Sequence, residues 1–486
     1  MTDIVIQKKN EVYLQIQAEP HIYYELSDHF TFEVPNAKFM PQYRGKHWDG
    51  KIRLFDGRTN QIYVGLLDKL VSFCKQYNYD YEFVGNKFYG LPFEVNESIS
   101  KEGVKDYVNS ISKYAPREYQ VEGVYDALRH NRRLLISPTA SGKSLMIYSI
   151  VRYHVEKGQN ILIVVPTTSL VEQMYKDFGD YGWDVGSFCH KIYAGKERET
   201  DSQVIITTWQ SIYKLPRQYF SRFNVVVGDE AHQFKSKSLV SIMTKLCDAK
   251  YRYGFTGTLD GTQTHKWVLE GLFGPSYKII RTDELMEKGY LASLDIKIVL
   301  LKHPPRKFET FEDEIQYLIS HNQRNNFIKN LTLDLKGNTL VLFNRVETHG
   351  KPLFELINTN AKNRKVFFIH GGVDVEDREH VRAITEKEKN AIIIASYGTF
   401  STGINIKNLH NVVFASPSKS RIRNLQSIGR VLRKGDKKTK ATLYDIADDI
   451  SHNQRKNYTL NHLIERVKIY SEENFNYEIV NVALRN

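Results

Sequence analysis

Three cysteines, Cys74, Cys189 and Cys247, are all that a chain of 486 residues carries. They are far apart and odd in number, which argues against a disulfide framework and a structural zinc site and suits buried thiols in a reducing cytoplasm. The 13 prolines and 29 glycines follow no period, which excludes a collagen-like chain. No apolar run approaches the ~18 residues a membrane span requires; the longest, such as residues 161–165 and 391–395, have the length of a strand. The opening MTDIVIQKKNEVYL lacks a basic-then-apolar leader, so a cytoplasmic chain without a membrane partner is expected. Short-period repeats and low-complexity tracts are also missing. What is present is an ordinary globular composition, 41% hydrophobic and 26% charged, with 68 Lys and Arg against 56 Asp and Glu. The resulting net charge of +12 favours a polyanionic partner.

At ~100–200 residues per domain the length predicts three or four domains. Residues 1–100 read as a small α+β domain. Val12, Leu14 and Ile16 alternate with Tyr13, Gln15 and Gln17, as in a half-buried strand. Residues 66–77 read as an amphipathic helix, with extended segments at 30–34, 51–55 and 81–84. From about Pro116 short apolar strands alternate with helices: 133–136 then 143–154, and 160–165 then 169–178. Strands at 203–207, 224–228 and 251–255 follow. This pattern predicts a parallel sheet covered on both faces. After ELMEKGYL at 284–291 the rhythm restarts, with strands at 339–343, 365–369, 391–395, 411–415 and 441–446. The expected domains are therefore 1–100, 101–283 and 284–450. A C-terminal extension, 451–486, would hold a helix at 458–470 and a strand at 477–484. Two α/β layers in tandem make a cleft, a natural place for a ligand.

Residues 133–144, RLLISPTASGKS, are a strand, a tight small-residue loop and a helix start. The backbone N–H groups of Ser137, Pro138, Thr139, Ala140, Ser141 and Gly142 (proline excepted), with the helix N-terminus, would cradle phosphates. Lys143 would reach the terminal phosphates and the Ser144 hydroxyl would ligate Mg²⁺. The strict phosphate-loop pattern places Gly where this chain has Ser137, and often Gly where it has Ala140, so the loop must close without them. A second apolar strand, 224–228, ends in Asp229-Glu230-Ala231-His232. Asp229 suits a water-mediated Mg²⁺ contact, and Glu230 suits proton acceptance from an attacking water. Adjacent strand residues face opposite ways, so both reach one site only where the strand ends and turns.

With these motifs in this order the chain resembles the superfamily 2 helicases and translocases over roughly residues 116–446. The resemblance implies an α/β fold: two tandem RecA-like parallel-sheet domains forming an ATP cleft, a small N-terminal α+β domain and a short C-terminal helical extension. Pro116-Arg117-Glu118-Tyr119-Gln120 resembles the family's adenine-reading element, which makes Arg117 and Gln120 ATP contacts. Pro166 and Thr167 stand in the equivalent of motif Ia, and Thr208 and Gln210 in that of motif Ib. Both motifs touch the nucleic-acid backbone in the family. Thr256-Gly257-Thr258 is a variant of the coupling element, which implies coupling roles for Thr256, Thr258 and His232. Residues 341–345 resemble motif IV. Residues 401–406, STGINI, resemble motif V, which implies a nucleic-acid contact for Thr402 and ATP contacts for Gly403 and Asn405. Gln426, Arg430 and Arg433 match motif VI, Q-x-x-G-R-x-x-R. On a helix they share one face, and the resemblance aims them across the cleft at the γ-phosphate.

Residues 39–55, FMPQYRGKHWDGKIRLF, resemble the leading domain of a bacteriophage branch of that superfamily. This implies an ATP-driven DNA motor on branched DNA, reversing forks, migrating Holliday junctions and unwinding R- and D-loops in recombination, repair and replication. Single- and double-stranded DNA, RNA–DNA hybrids, and a single-strand-binding or recombination protein are the partners so implied, with a monomeric chain in the host cytoplasm. The residues agree: 38–58 carries six Lys or Arg against two Asp, interleaved with Tyr43, His47, Trp48 and Phe55. Arg44, Lys46, Trp48, Lys51 and Arg53 are the nucleic-acid candidates. The competing reading puts Trp48 and Phe55 in a core. An RNA helicase would share every motor motif. A restriction-type translocase would too, although no nuclease carboxylate–lysine constellation is visible. A non-hydrolysing clamp would need a damaged site, whereas Glu230, Gln426, Arg430 and Arg433 are all present.

Overall fold

The alternation around residue 14 becomes the strand Tyr13–Ala18, with Leu14 and Ile16 buried. This and all that follows comes from a computed structural model. It describes residues 2–35, 37–85, 95–193, 199–403, 406, 408–416, 418–434 and 438–484, without the side chains of 375 and 401–403. The strand lies in the middle of a five-stranded sheet in the order Phe55–Asp56, Gln61–Tyr63, Tyr13–Ala18, Ile4–Lys8, Tyr81–Val84. Only the last pair is parallel. Helices Pro20–His29 and Leu67–Tyr77 add Ile22, Leu26, Leu70, Val71 and Phe73 to its core. Residues between the sheet strands form the short helix Pro41–Arg44 and an antiparallel ribbon of Thr31–Glu33 with Lys51–Arg53. Phe55 is in the core, as one reading held, but Trp48 is only half-buried and its indole N–H donates to the Lys51 carbonyl at 2.8 Å.

Two seven-stranded sheets follow, both parallel throughout. The first runs Cys189–Ile192, Val204–Thr208, Ile161–Val165, Val225–Asp229, Tyr251–Thr256, Arg132–Ile136, Ser276–Lys278. The second runs Val366–Ile369, Ile392–Ser396, Thr339–Phe343, Asn411–Phe414, Lys440–Asp449, Ser293–Lys302, Tyr477–Ala483. Every residue of Ile161–Val165 and Thr339–Phe343 is buried, which is why these strands read as unbroken apolar runs. The α/β class and the two tandem sheets expected from the sequence are both found.

By its own contacts the chain forms two compact units, Met1–Ser137 with Gly142–Ile279, and Pro138–Ser141 with Ile280–Asn486. In the first, one core runs from Ile4 in the N-terminal sheet to Phe273 beside the first parallel sheet. Glu11 accepts from Lys8 at 2.7 Å and pairs with Arg132, at the start of the strand leading to the phosphate loop. A Cβ on Gly65 would lie 2.0 Å from the Glu270 carbonyl, so only glycine permits that approach. Residues 1–100 are thus built onto the first parallel layer. In the second unit the described part of 451–486, expected as an extension, completes the sheet. Tyr477–Ala483 pairs in parallel with Ser293–Lys302, and Arg466 of helix Tyr458–Glu472 donates to Asp445 at 2.8 Å.

Candidate active site

Parallel strands bring their carboxyl ends to one edge, where open α/β sheets bind ligands. In the first sheet the phosphate loop, Pro166, Thr208, Asp229 and Thr256 all stand at that edge. The loop closes without the missing glycines by two means. Ser137 is buried and donates its N–H to the Thr256 carbonyl at 2.9 Å, needing no unusual backbone. Ala140 takes φ +68°, a left-handed conformation that costs an L-residue about 1–2 kcal/mol. Position 142, at φ +80°, favours glycine: a Cβ on Gly142 would lie 2.3 Å from Gln120 Nε2 and displace that side chain. Helix Lys143–Glu156 begins next, and Lys143 Nζ donates to the Ser137 carbonyl at 3.3 Å, lying back over the loop.

Val225–Asp229 ends at Glu230, which adopts φ +50°. This is the turn that two adjacent carboxylates need to face one site. Asp229 accepts the Glu230 N–H at 2.9 Å. Burial and the neighbouring Glu230 carboxylate push the Asp229 carboxyl up, and Lys143 and His232 draw it partly back. Lys143, Asp229, Glu230 and His232 are therefore one electrostatic group. His232 Nδ1 lies 3.3 Å from Glu230 Oε2 and 3.1 Å from Thr256 Oγ1, and the Thr256 hydroxyl donates to the Thr258 carbonyl at 3.1 Å. The three residues expected to couple form one chain from the acid to the next strand.

Other candidates have partners of their own within the fold. Ser144 Oγ pairs with the Tyr181 hydroxyl at 2.7 Å, a partner no motif announced. The Gln120 amide is engaged at both ends: it accepts the Arg117 N–H at 2.9 Å and donates to the Gly142 carbonyl at 3.4 Å, so it braces the loop. Thr167 caps helix Thr168–Asp180. Thr208 is buried with its hydroxyl on Ser211 at 3.0 Å, while Gln210 is exposed. In the second unit Gln426 and Arg430 lie on helix Arg421–Val431, but Arg433 falls beyond its end, so the three do not share one helical face. The buried Lys438 closes that helix end by donating to the carbonyls of Val431 and, at 3.1 Å, Arg433. Asn405 lies outside the described residues, as does the side chain of Thr402, while Gly403 ends helix Tyr397–Gly403.

Among the described residues no group of three or more His, Cys, Asp or Glu converges on a metal position. One buried carboxylate and one hydroxyl are what a hard cation held mainly by phosphate oxygens and water requires, so Asp229 and Ser144 fit Mg²⁺.

Comparison with known proteins decides the family. Residues 3–84 match the family described as DNA helicase UvsW, N-terminal, residues 113–261 the type III restriction enzyme res subunit, and residues 323–435 the helicase conserved C-terminal domain. The chain is 34% identical to the ATP-dependent DNA helicase uvsW of Enterobacteria phage T4, covering 99% of this chain and 100% of the relative. This chain is a superfamily 2 helicase of the UvsW family. The crystal structure of T4 UvsW superposes with a TM-score of 0.52 at 33% identity, covering 100% of both chains. The DNA 3′-5′ translocase XPB2 of Sulfurisphaera tokodaii is 23% identical over 66% of this chain and 79% of that protein. The type ISP restriction-modification enzyme LlaBIII shares the fold at 15% identity, with a TM-score of 0.57 over 76% of this chain and 32% of that one. The UvsW match at 3–84 spans the N-terminal sheet and the excursion after Thr31–Glu33. There Arg44, Lys46 and Lys51 are exposed and in no ion pair among the described residues, whereas Arg53 is held by Asp49 at 2.5 Å.

Proposed function

We propose that this chain, an ATP-dependent DNA helicase, works on branched DNA: regressing forks, migrating Holliday junctions and unwinding R- and D-loops in recombination, repair and replication. The observation that carries the reading is the exposed Arg44, Lys46 and Lys51 on an excursion outside every motor motif, in the segment matching the UvsW N-terminal family. A motor needs no such face to hydrolyse ATP, but a substrate-selecting domain does.

The residues divide the work of hydrolysis. The loop N–H groups and Lys143 bind the phosphates, and the motif pattern assigns Arg117 and Gln120 to adenine, Gln120 also bracing the loop through the Gly142 carbonyl. Glu230 takes the proton of the attacking water at its carboxylate, oriented through His232. Asp229 and Ser144 would hold Mg²⁺, which would supply charge neutralisation at the terminal phosphates. The motif pattern assigns Gln426, Arg430 and Arg433 to the γ-phosphate, and Gly403 and Asn405 to ATP. Pro166, Thr167, Gln210 and Thr402 are assigned to the nucleic-acid backbone, and Thr208 supports them from beneath. The test is an ATPase assay across single-stranded DNA, blunt duplex, forks, four-way junctions and RNA. Forks and junctions should stimulate most. Equal stimulation by RNA, or none by forks beyond that of single strands, would overturn the branched-DNA reading.

A further inference from the structure

The second unit carries a basic cleft that no motif accounts for. Strand Lys440–Asp449 ends and the chain turns back at once. Asn453 and Gln454 take φ +47° and +62°, and His452 and Arg455 exchange N–H···O bonds of 3.1 and 3.0 Å, a two-residue hairpin turn. Beside it runs the segment leaving the parallel neighbour strand Ser293–Lys302, where Arg306 N donates to the Ile450 carbonyl at 3.3 Å. The two segments enclose an open cleft of about 610 Å³ lined by Arg306, Lys307, His452, Arg455 and Lys456. Lys307 is paired with Glu309 at 3.2 Å. Arg306, Arg455 and Lys456 are exposed and have no carboxylate partner among the described residues.

The floor of the cleft is a hydrogen-bonded network around Glu314. Asn457 accepts the Ile450 N–H at 3.0 Å and donates to Glu314 at 2.8 Å. Glu314 is fully buried and also accepts from Tyr458 N, Thr459 N and the Thr459 hydroxyl at 2.8, 2.7 and 2.6 Å. The oxygens of Glu314 are thus taken up by donors of the scaffold, and Arg306, Arg455 and Lys456 line the cleft with it. Arg306 is held against the rings of Phe308 and Tyr317, 5.3 and 5.1 Å from their centroids. Close by, Phe311 and Tyr458 are 39% and 41% exposed and meet edge to face at 6.2 Å.

We propose that this cleft binds single-stranded DNA, with the phosphodiester backbone on Arg306, Arg455 and Lys456 and a base against the Phe311–Tyr458 pair. The inference rests on the DNA-motor reading and adds a contact to it. Unpaired cations explain affinity for any phosphate backbone. Exposed rings beside them favour a single strand, because only an unpaired base offers its face for stacking.

The test uses the full chain without nucleotide, titrated with a labelled single-stranded oligonucleotide and with a blunt duplex across a salt series. The Arg306→Ala/Arg455→Ala/Lys456→Ala variant should lower the single-strand salt slope by about 2, at ~0.7 per lost contact. Tyr458→Leu should weaken single-strand binding roughly ten-fold with little change in the slope. ATPase without DNA should stay at the wild-type rate in both, since neither touches the nucleotide machinery. Wild-type single-strand affinity and slope in the triple variant would overturn the proposal, and so would an equal loss on duplex. Neither result would touch the motor reading, which instead stands or falls with Lys143 and Glu230.

Discussion

The Ser144 hydroxyl has two competing partners. It stands where a phosphate loop keeps its metal ligand, and it is hydrogen-bonded to Tyr181 at 2.7 Å. Burial pushes the Tyr181 phenol up to about 12, so at neutral pH it is uncharged. Tyr181→Phe removes that partner and leaves the rest of the loop intact. A neutral hydrogen bond is worth ~0.5–1.5 kcal/mol net, so the Mg²⁺ concentration giving half-maximal ATPase should fall roughly 2–10-fold with kcat unchanged. An identical Mg²⁺ titration would separate Tyr181 from the metal site. At the acid, Glu230→Gln should still bind ATP with Mg²⁺ yet hydrolyse it very slowly, and Lys143→Ala should abolish turnover. Near wild-type turnover in purified Glu230→Gln would refute the base assignment. Residues of this kind were legible in the sequence because their chemistry lies in their own identity and spacing: Lys143, Asp229, Glu230 and His232 converge. Tyr181 was not, because a tyrosine becomes a hydroxyl's partner only through folding, and no spacing from residue 144 to residue 181 announces it. Trp48 is ambiguous for the same reason: only the fold places its N–H on the Lys51 carbonyl, and that bond leaves stacking and packing both open to test.

Central strands were legible for a related reason. Buried on both faces, Ile161–Val165 and Thr339–Phe343 had to be apolar at every position. Edge strands carry no such demand, and Cys189–Ile192 and Ser276–Lys278, with polar His190, Lys191 and Lys278, have no unbroken apolar run to mark them. The edges Val366–Ile369 and Tyr477–Ala483 of the second sheet do stand out, whereas the interior strand Ser293–Lys302 does not, because Asp295 and Lys297 interrupt it. The end of helix Arg421–Val431 was also misplaced, since a periodic pattern continues on paper where Lys438 stops it in the fold. That stop has a pH signature. Burial pulls the Lys438 ammonium down from 10.5 to about 7. Between those values the unfolded chain binds the proton and the folded chain does not, so stability rises with pH across that window. Below about pH 7 the cost is fully present, and above 10.5 it is gone. Against Lys438→Met, wild-type stability in denaturant titrations should gain as pH goes from 7 to 10. A flat difference would show that the ammonium is better solvated than its burial implies. The two arginines on either side of the helix end can be tested on the reaction itself. Arginine charge on a phosphoryl transition state is worth ~10³–10⁵ in rate, so Arg430→Ala and Arg433→Ala should cut kcat far more than they weaken ATP binding. Loss confined to nucleotide affinity would count against the role.

At the scale of the whole molecule, the N-terminal sheet and the first parallel layer share one core, fastened by Glu11 with Arg132 and by the close approach of Gly65 to Glu270. The proposed DNA face, on the excursion from that sheet, belongs to the same unit as Lys143 and Glu230. The face can nevertheless be removed without disturbing the motor, because Arg44, Lys46 and Lys51 are exposed and outside that core. The Arg44→Ala/Lys46→Ala/Lys51→Ala variant should melt with the wild type and keep its ATPase without DNA. It should lose affinity for forks and four-way junctions, with a salt slope lower by about one per lost phosphate contact, and should lose branch migration with it. Trp48→Ala separates stacking from packing: a ring that stacks on a base at a junction loses ~1–3 kcal/mol of fork affinity at constant Tm, and a ring that only braces the Lys51 turn lowers Tm and leaves affinity alone. If the triple variant binds and migrates junctions like wild type across the salt series, substrate choice belongs to the parallel-sheet layers.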